Sequence, residues 1–405
     1  MLVQKESQSK SSSNSLLNTY NRHNVNFVSG NGSYLYDENR KSYLDFLSGI
    51  AVTGFGHNHP KLVTAAVEQT MSLWHVSNLF NSHLQNSLAD KLVKTTKLSS
   101  VFFCNSGTEA NEAAIKFARK WGEGRSTIIT TLGGFHGRTM GSLAASAQYK
   151  LWEGFFPLTP GFKYVPFNDI EAVENSIDKH TVAVMLEPIQ GENGIILPDE
   201  DYLQKLKTVC DENNLLLILD EIQTGIGRTG KMFAYQWENI QPDIITSAKG
   251  IANGLPLGAV ICSERVSKVI KPGMHGSTFG GNPVAVSVAN MVMDLLNENL
   301  LAEVTEKGEK IIEKIKSLDF TEIVEIRGKG LLIGIEFKAE YDVKNISKEL
   351  LNKGVVTVTA GNNTLRLLPP LIVSEKEINE FLKVFADTLN NYIPHSISQE
   401  QLQTK

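Results

Sequence analysis

The chain is poor in the features that would mark a specialised protein class. Only three of its 405 residues are cysteine: Cys104, Cys210 and Cys262. They lie far apart without a CxxC spacing, which argues against a disulfide framework and a cysteine-based zinc site and gives a cytoplasmic redox reading. No apolar run reaches the ~18 residues that a membrane-spanning helix needs. Positive charge is not in excess: 39 lysines and arginines face 44 acidic residues, for a net charge of −5. Nothing therefore points to nucleic acid or to an anionic membrane as partner. Met1 to Ser15 is polar and serine-rich and lacks the apolar core of a secretory signal. It reads as a disordered or loosely attached tail. Internal repeats and long linkers are also missing.

What remains is a globular composition, 41% apolar and 20% charged. The length suits two or three domains and a large core. Short apolar runs alternate with helical patterns through the middle of the chain. Strands are expected at Val101–Cys104, Thr127–Thr130, Val182–Leu186, Leu215–Leu219 and Ile244–Thr246. Helices are expected at Thr108–Trp121, with an alanine-rich face, and at Asp201–Asn213. Buried strands separated by helices predict an α/β fold with a mainly parallel sheet flanked by helices. The C-terminal part reads as a smaller α+β unit. It has helices at Asn282–Asn299 and Lys307–Leu318, strands at Gly330–Phe337, Val355–Thr359 and Thr364–Leu368, and a last helix opened by a Ser374/Glu377 capping box. Strand-like pieces at Tyr34–Tyr36 and Tyr43–Phe46 should pack on it. The expected division is an N-terminal segment 1–60, a large domain 61–295 and a small domain 296–405.

Three places carry chemistry. Ser106-Gly107-Thr108 stands between a strand and a helix, where free amides and the helix dipole make an anion site. Asp220-Glu221 closes a buried strand, the end at which α/β sheets place ligands. Lys249 follows the strand Ile244–Thr246 between small residues. The stretch Gly225 to Lys231 imitates the opening of a nucleotide-binding loop, but position 232 is Met, so the hydroxyl that would ligate magnesium is missing. Each of the three alone is ordinary: a helix cap, an acidic pair, a surface lysine. Together they match the phosphate, the pyridine nitrogen and the aldehyde of one cofactor, with Lys249 as the Schiff-base lysine.

The chain also resembles the class III (ω-amino) aminotransferases of pyridoxal-phosphate fold type I. The resemblance rests on ordered motifs along nearly the whole chain: Tyr43 to Val52, Phe103 to Asn111, Phe135 to Thr139, Leu186 to Glu192, Asp220 to Gly225, Ala248 to Gly250, His275 to Pro283 and Arg366 to Pro370. It implies pyridoxal 5'-phosphate bound covalently to Lys249, with Asp220 on the pyridinium nitrogen and Phe135 and Ile222 against the two ring faces. It further implies Gln223 on the ring hydroxyl and Ser106, Gly107 and Thr108 on the phosphate. Thr278 would reach the phosphate of a neighbouring subunit, so a homodimer with shared active sites is implied. No metal is called for; His57-Asn58-His59 reads as loop.

The same resemblance implies two small-molecule substrates. One is an acylated ornithine, closest to N2-acetylornithine, which reacts through its distal amine. The other is the glutamate/2-oxoglutarate pair. Arg138 would bind the carboxylate far from the reacting carbon, Arg366 the α-carboxylate of glutamate, and Ser277 lies on the substrate side. Glu192 would neutralise Arg366 when the ω-amine substrate leaves it without a carboxylate, because an unpaired buried charge is costly. Ile50 stands where ornithine-using members carry an aromatic residue, which favours the acylated donor. Asn193 and the stretch Leu79–His83 depart from the family pattern near the substrate entrance. Ornithine, succinylornithine, succinyldiaminopimelate and 4-aminobutyrate stay open as amino donors. A non-catalytic cofactor-binding regulator would need an attached DNA-binding domain or a broken lysine.

Overall fold

The computed structural model describes residues 15–361 and 363–392. The serine-rich tail, apart from Ser15, lies outside them. At the centre is a seven-stranded sheet in the order Ser100–Cys104, Gly258–Cys262, Ile244–Ser247, Leu216–Asp220, Thr181–Leu186, Thr127–Thr131, Phe162–Val165. The last five strands run parallel to one another. Gly258–Cys262 is antiparallel to both its neighbours. Every residue of Thr181–Leu186, Leu216–Asp220, Ile244–Ser247 and Gly258–Cys262 is buried. Helices cover both faces of such a sheet, which is why these strands are continuous apolar runs and not alternating ones. The helix Gly107–Trp121 packs its alanine face (Ala110, Ala113, Ala114, Ala118) against the sheet.

Two four-stranded sheets accompany the central one among the described residues. One joins Phe27–Asn31, Tyr34–Asp37 and Ser42–Asp45 to the distant strand Val355–Val356. That strand pairs in parallel with Leu44 and Asp45. The other is antiparallel, in the order Ile323–Lys329, Leu332–Phe337, Thr364–Leu367, Val358–Ala360. The last helix, Glu375–Asn390, opens with the expected capping box: Ser374 N donates to Glu377 Oε2 at 2.6 Å, and Glu377 N donates to Ser374 Oγ at 3.3 Å. Among the described residues, no helix is long and apolar enough to cross a membrane.

Several sequence expectations are corrected. The run Asn282–Asn299 is not one helix. It ends at Leu295, and Asn297 caps a second helix, Glu298–Lys316, by accepting from Leu300 N at 3.0 Å. The expected start at Lys307 is therefore too late. Val355–Thr359 splits, sending its two halves to different sheets. The strand expected from Gly330 begins at Leu332. Strands Phe162–Val165, Gly258–Cys262 and Ile323–Lys329 were not anticipated. The last of these carries Glu325, Arg327 and Lys329 on a half-covered edge, where no buried face forces apolar alternation.

Candidate active site

The carboxyl ends of the central strands converge on a cavity of about 440 Å³. Ser106, Gly107, Thr108, Phe135, Arg138, Asp220, Ile222, Gln223 and Lys249 all line it. Their sequence positions are far apart, but each ends or follows a strand that finishes on the same edge.

The helix Gly107–Trp121 points its N-terminus at one end of the cavity. Ser106 caps it, its hydroxyl accepting from Glu109 N at 3.3 Å. Thr108 Oγ1 lies 2.8 Å from Thr139 Oγ1. A Cβ on Gly107 would lie 2.8 Å from the Ile222 side chain, so only glycine lets this turn and Ile222 close together. Free amides and the positive helix end suit an anion at this end of the cavity.

Asp220 ends the strand Leu216–Asp220 and is almost fully buried. His136 Nδ1 is 2.7 Å from its Oδ2, and Asn111 Nδ2 donates to the same oxygen at 2.8 Å. Ile222 N donates to Oδ1 at 3.1 Å. Burial alone would lower the His136 pKa, but the hydrogen bond and charge of Asp220 outweigh it and raise it. Three donors on its two oxygens hold this buried carboxylate in one orientation. Glu187 sits nearby, its carboxylate accepting from Phe135 N at 2.9 Å and Gly191 N at 3.1 Å. Burial, with the charge of Asp220, pushes Glu187 above the usual carboxylate range.

Lys249 opens a short 3-10 turn, Lys249–Ala252, and adopts φ +47. A non-glycine residue there costs about 1–3 kcal/mol and marks a site held in place by its surroundings. Burial is the main cause that lowers its pKa from 10.5 to about 8; Arg366 adds to the lowering, while Glu192, Glu187 and Asp220 oppose it. Close to neutrality, such an amine is in part an unprotonated nucleophile.

Arg366 and Glu192 do not line the cavity; they stand behind Gln223, which does. Arg366 is 1% exposed. Its Nη1 donates to Glu192 Oε1 at 2.6 Å and to Gln223 Oε1 at 3.0 Å, and its Nε has no partner. Burial raises the Glu192 pKa, but the charge of Arg366 and its hydrogen bond outweigh this and leave it lowered. Arg138 is exposed, with its guanidinium 5.9 Å from the Phe135 ring centre. Ser277 and Thr278 are not brought to this cavity. They line a second depression with His75, Asn78 and Gln85, although Asn105 Nδ2 ties Ser277 Oγ to the first site at 3.1 Å.

Beneath the cavity edge, Ser48, Gly49, Ile50 and Ala51 all have positive φ, from 50 to 68. Left-handed turns cost about 1–2 kcal/mol per non-glycine residue. Asp45 holds this one, accepting from Leu47 N and Ser48 N at 2.9 and 2.8 Å, with His57 on its other oxygen at 2.8 Å. The turn delivers Val52 to the cavity wall. The nucleotide-loop look-alike is also structural: Arg228 is buried and donates to Leu331 O and Pro369 O.

Sequence reasoning gave no role to Asn111 or to His136. Asn111 had a signal: it lies one helical turn after Gly107 and is the one asparagine on an alanine-lined buried face. His136 had none, because its contact with Asp220 spans 84 residues.

Comparison with known proteins agrees with this geometry. The family described as Aminotransferase class-III matches residues 18–389. The acetylornithine aminotransferase of Bacillus cereus is 46% identical over 368 residues, covering 90% of this chain and 95% of that protein. The solved N-acetylornithine aminotransferase of Stenotrophomonas maltophilia superposes with a TM-score of 0.81 at 34% identity, covering 92% of this chain and 97% of that one. The ornithine aminotransferase of Toxoplasma gondii, solved with partial occupancy of PLP at its active site, gives 0.87 at 31% identity, covering 91% and 90%. A match of this length, on a fold whose strand ends gather a lysine, a buried aspartate and a helix N-terminus, means that the chain belongs to the class-III aminotransferases, which work with pyridoxal phosphate.

Proposed function

We propose that this enzyme moves the distal amino group of N2-acetyl-L-ornithine to 2-oxoglutarate, giving N-acetyl-L-glutamate 5-semialdehyde and L-glutamate. The observation that carries the substrate reading is the Arg366–Glu192 pair at 2.6 Å beside Gln223 and Lys249. When bound, pyridoxal phosphate supplies an aldehyde that condenses with amines and a ring that accepts the electron pair left by a departing proton. The residues suit it. Lys249 Nζ makes no hydrogen bond or ion pair among the described residues, so it is available to the aldehyde. Asp220, held by His136 and Asn111, would keep the ring nitrogen protonated. Gly107, Thr108 and Ser106 would take the phosphate, Phe135 and Ile222 the ring faces, and Gln223 the ring hydroxyl.

Lys249 does the proton work. Its Nζ would take up the proton that leaves the substrate carbon of the donor and would return one to the carbon of the acceptor. Arg138, on the exposed rim, clamps the carboxylate distant from the reacting carbon in both substrates. Arg366 takes the α-carboxylate of glutamate. With the acetylated donor no carboxylate arrives there, and Glu192 keeps the buried guanidinium neutralised. Ser277 borders the substrate side. Thr278 serves the phosphate of a partner subunit in a homodimer; its exposure beside Phe279 and Leu79, both exposed apolar residues, supports that reading. The three buried free cysteines support a reducing, cytoplasmic setting.

Half-reaction spectra test this. N-acetylornithine is expected to give a higher kcat/KM than succinylornithine, ornithine, succinyldiaminopimelate or 4-aminobutyrate; a tenfold preference for any of these would overturn the donor assignment. In Glu192→Ala the N-acetylornithine half-reaction should fall by about tenfold to a hundredfold, because Arg366 is left buried and unpaired. The glutamate half-reaction should change little. Equal loss with both donors would remove Glu192 as the gate.

A further inference from the structure

The loop that carries Glu192 is clamped from several sides. Gln190 and Ile196 close it with reciprocal backbone hydrogen bonds of 3.0 and 3.1 Å. The carbonyl of Glu192 accepts from Gly361 N at 2.8 Å. Arg327 donates to the carbonyls of Gly194 and Ile195 at 2.7 and 3.0 Å. The remaining side faces the loop of Phe135 and Arg138. There Asn193 Nδ2 donates to Gln190 Oε1 at 2.9 Å, and Gln190 Nε2 donates to Leu132 O at 2.9 Å and Thr131 Oγ1 at 3.1 Å. Gln190 is completely buried, so both ends of its amide are committed. Its carbonyl end has Asn193 as its donor. Asn193 itself is exposed, but its amide covers Gly133, which has φ +82 and where any Cβ would collide with it.

We infer that Asn193 is a positioning residue: through Gln190 it fixes the Glu192 loop against the Leu132–Arg138 loop. Glu192 then leaves Arg366 by rotation of its side chain alone, and the separation of the two carboxylate-binding arginines stays constant. The inference rests on the Glu192–Arg366 gate proposed above. A loosened loop populates the neutralising pose of Glu192 less often. That penalises the donor needing the pose and spares glutamate, which displaces Glu192 in any case.

The test compares Asn193→Ala with Asn193→Asp in the two half-reactions of the holoenzyme. Aspartate keeps the size of the side chain but turns an oxygen toward Gln190 Oε1, so both variants lose the bond. In both, kcat/KM for N-acetylornithine should fall by about tenfold, the worth of one lost hydrogen bond to a buried group, with glutamate within about twofold. An Asn193→Asp enzyme that behaves like the unsubstituted protein would make Asn193 a space-filler and overturn the inference, as would equal losses with both donors or no loss with either. Glu192→Ala keeps the two readings apart. If it separates the half-reactions while the Asn193 variants do not, only the clamp fails; if it does not separate them, the gate fails first.

Discussion

Replacing Lys249 with alanine is expected to lower transamination at least ~10⁴-fold, because in the proposed function one side chain would supply both the amine for covalent attachment and the base for proton transfer. The protein should still fold and still bind pyridoxal phosphate. The anion-binding end at Gly107 and Thr108 and the Asp220 carboxylate do not depend on the lysine. Borohydride reduction separates the two functions: it should fix the cofactor to the unsubstituted chain and leave the variant unlabelled. The lowered lysine pKa adds a pH signature. A group held at about 8 and not 10.5 becomes an unprotonated amine as pH rises through about 8. Capture of pyridoxal phosphate by the cofactor-free protein should therefore accelerate across that pH and level off above it. A midpoint near 10.5, or a Lys249→Ala enzyme with normal turnover, would overturn the assignment.

The second large effect is expected at Asp220. Asp220→Asn keeps the shape of the side chain and removes its charge. Turnover should fall by roughly 10³-fold, the scale of losing a preorganised charge at a developing electron sink. The variant should also change His136. Its pKa is raised because Asp220, with a smaller push from Glu187, overcomes the penalty of burial, so without the Asp220 charge the imidazole should titrate lower than in the unsubstituted protein. Imidazole resonances would report this whether or not the enzyme turns over. Asp220→Asn turnover within tenfold of the unsubstituted enzyme would exclude the aspartate as the partner of the ring nitrogen.

Legibility from sequence followed the range of the interactions. The parallel strands were readable because a sheet covered on both faces demands unbroken apolar runs, as in Leu216–Asp220 and Ile244–Ser247. The capping box at Ser374 and Glu377 was readable because its bonds span three residues. The strands at Ile323–Lys329 and Phe162–Val165 lie at sheet edges with partly covered residues, where the pattern weakens. The break at Leu296 was hidden by Asn297, a capping residue set inside a run that otherwise reads as helix.

The candidate site divides in the same way. By itself the sequence determined the α/β class and the ordered family motifs; Lys249 and Asp220 stand at strand ends that local pattern reveals, while Arg138 and Arg366 were named by the resemblance alone. Only the tertiary structure decided how these groups act on one another. It set His136 and Asn111 behind Asp220, placed Gln223 as well as the expected Glu192 against Arg366, kept Thr278 out of the cavity and joined Asn193 through Gln190 to the Arg138 loop. The reason is physical. Hydrogen bonds and charge pairs in a buried site act over a few ångströms of space between residues far apart in the chain. Local sequence pattern records burial and turn chemistry, not which distant side chains will meet.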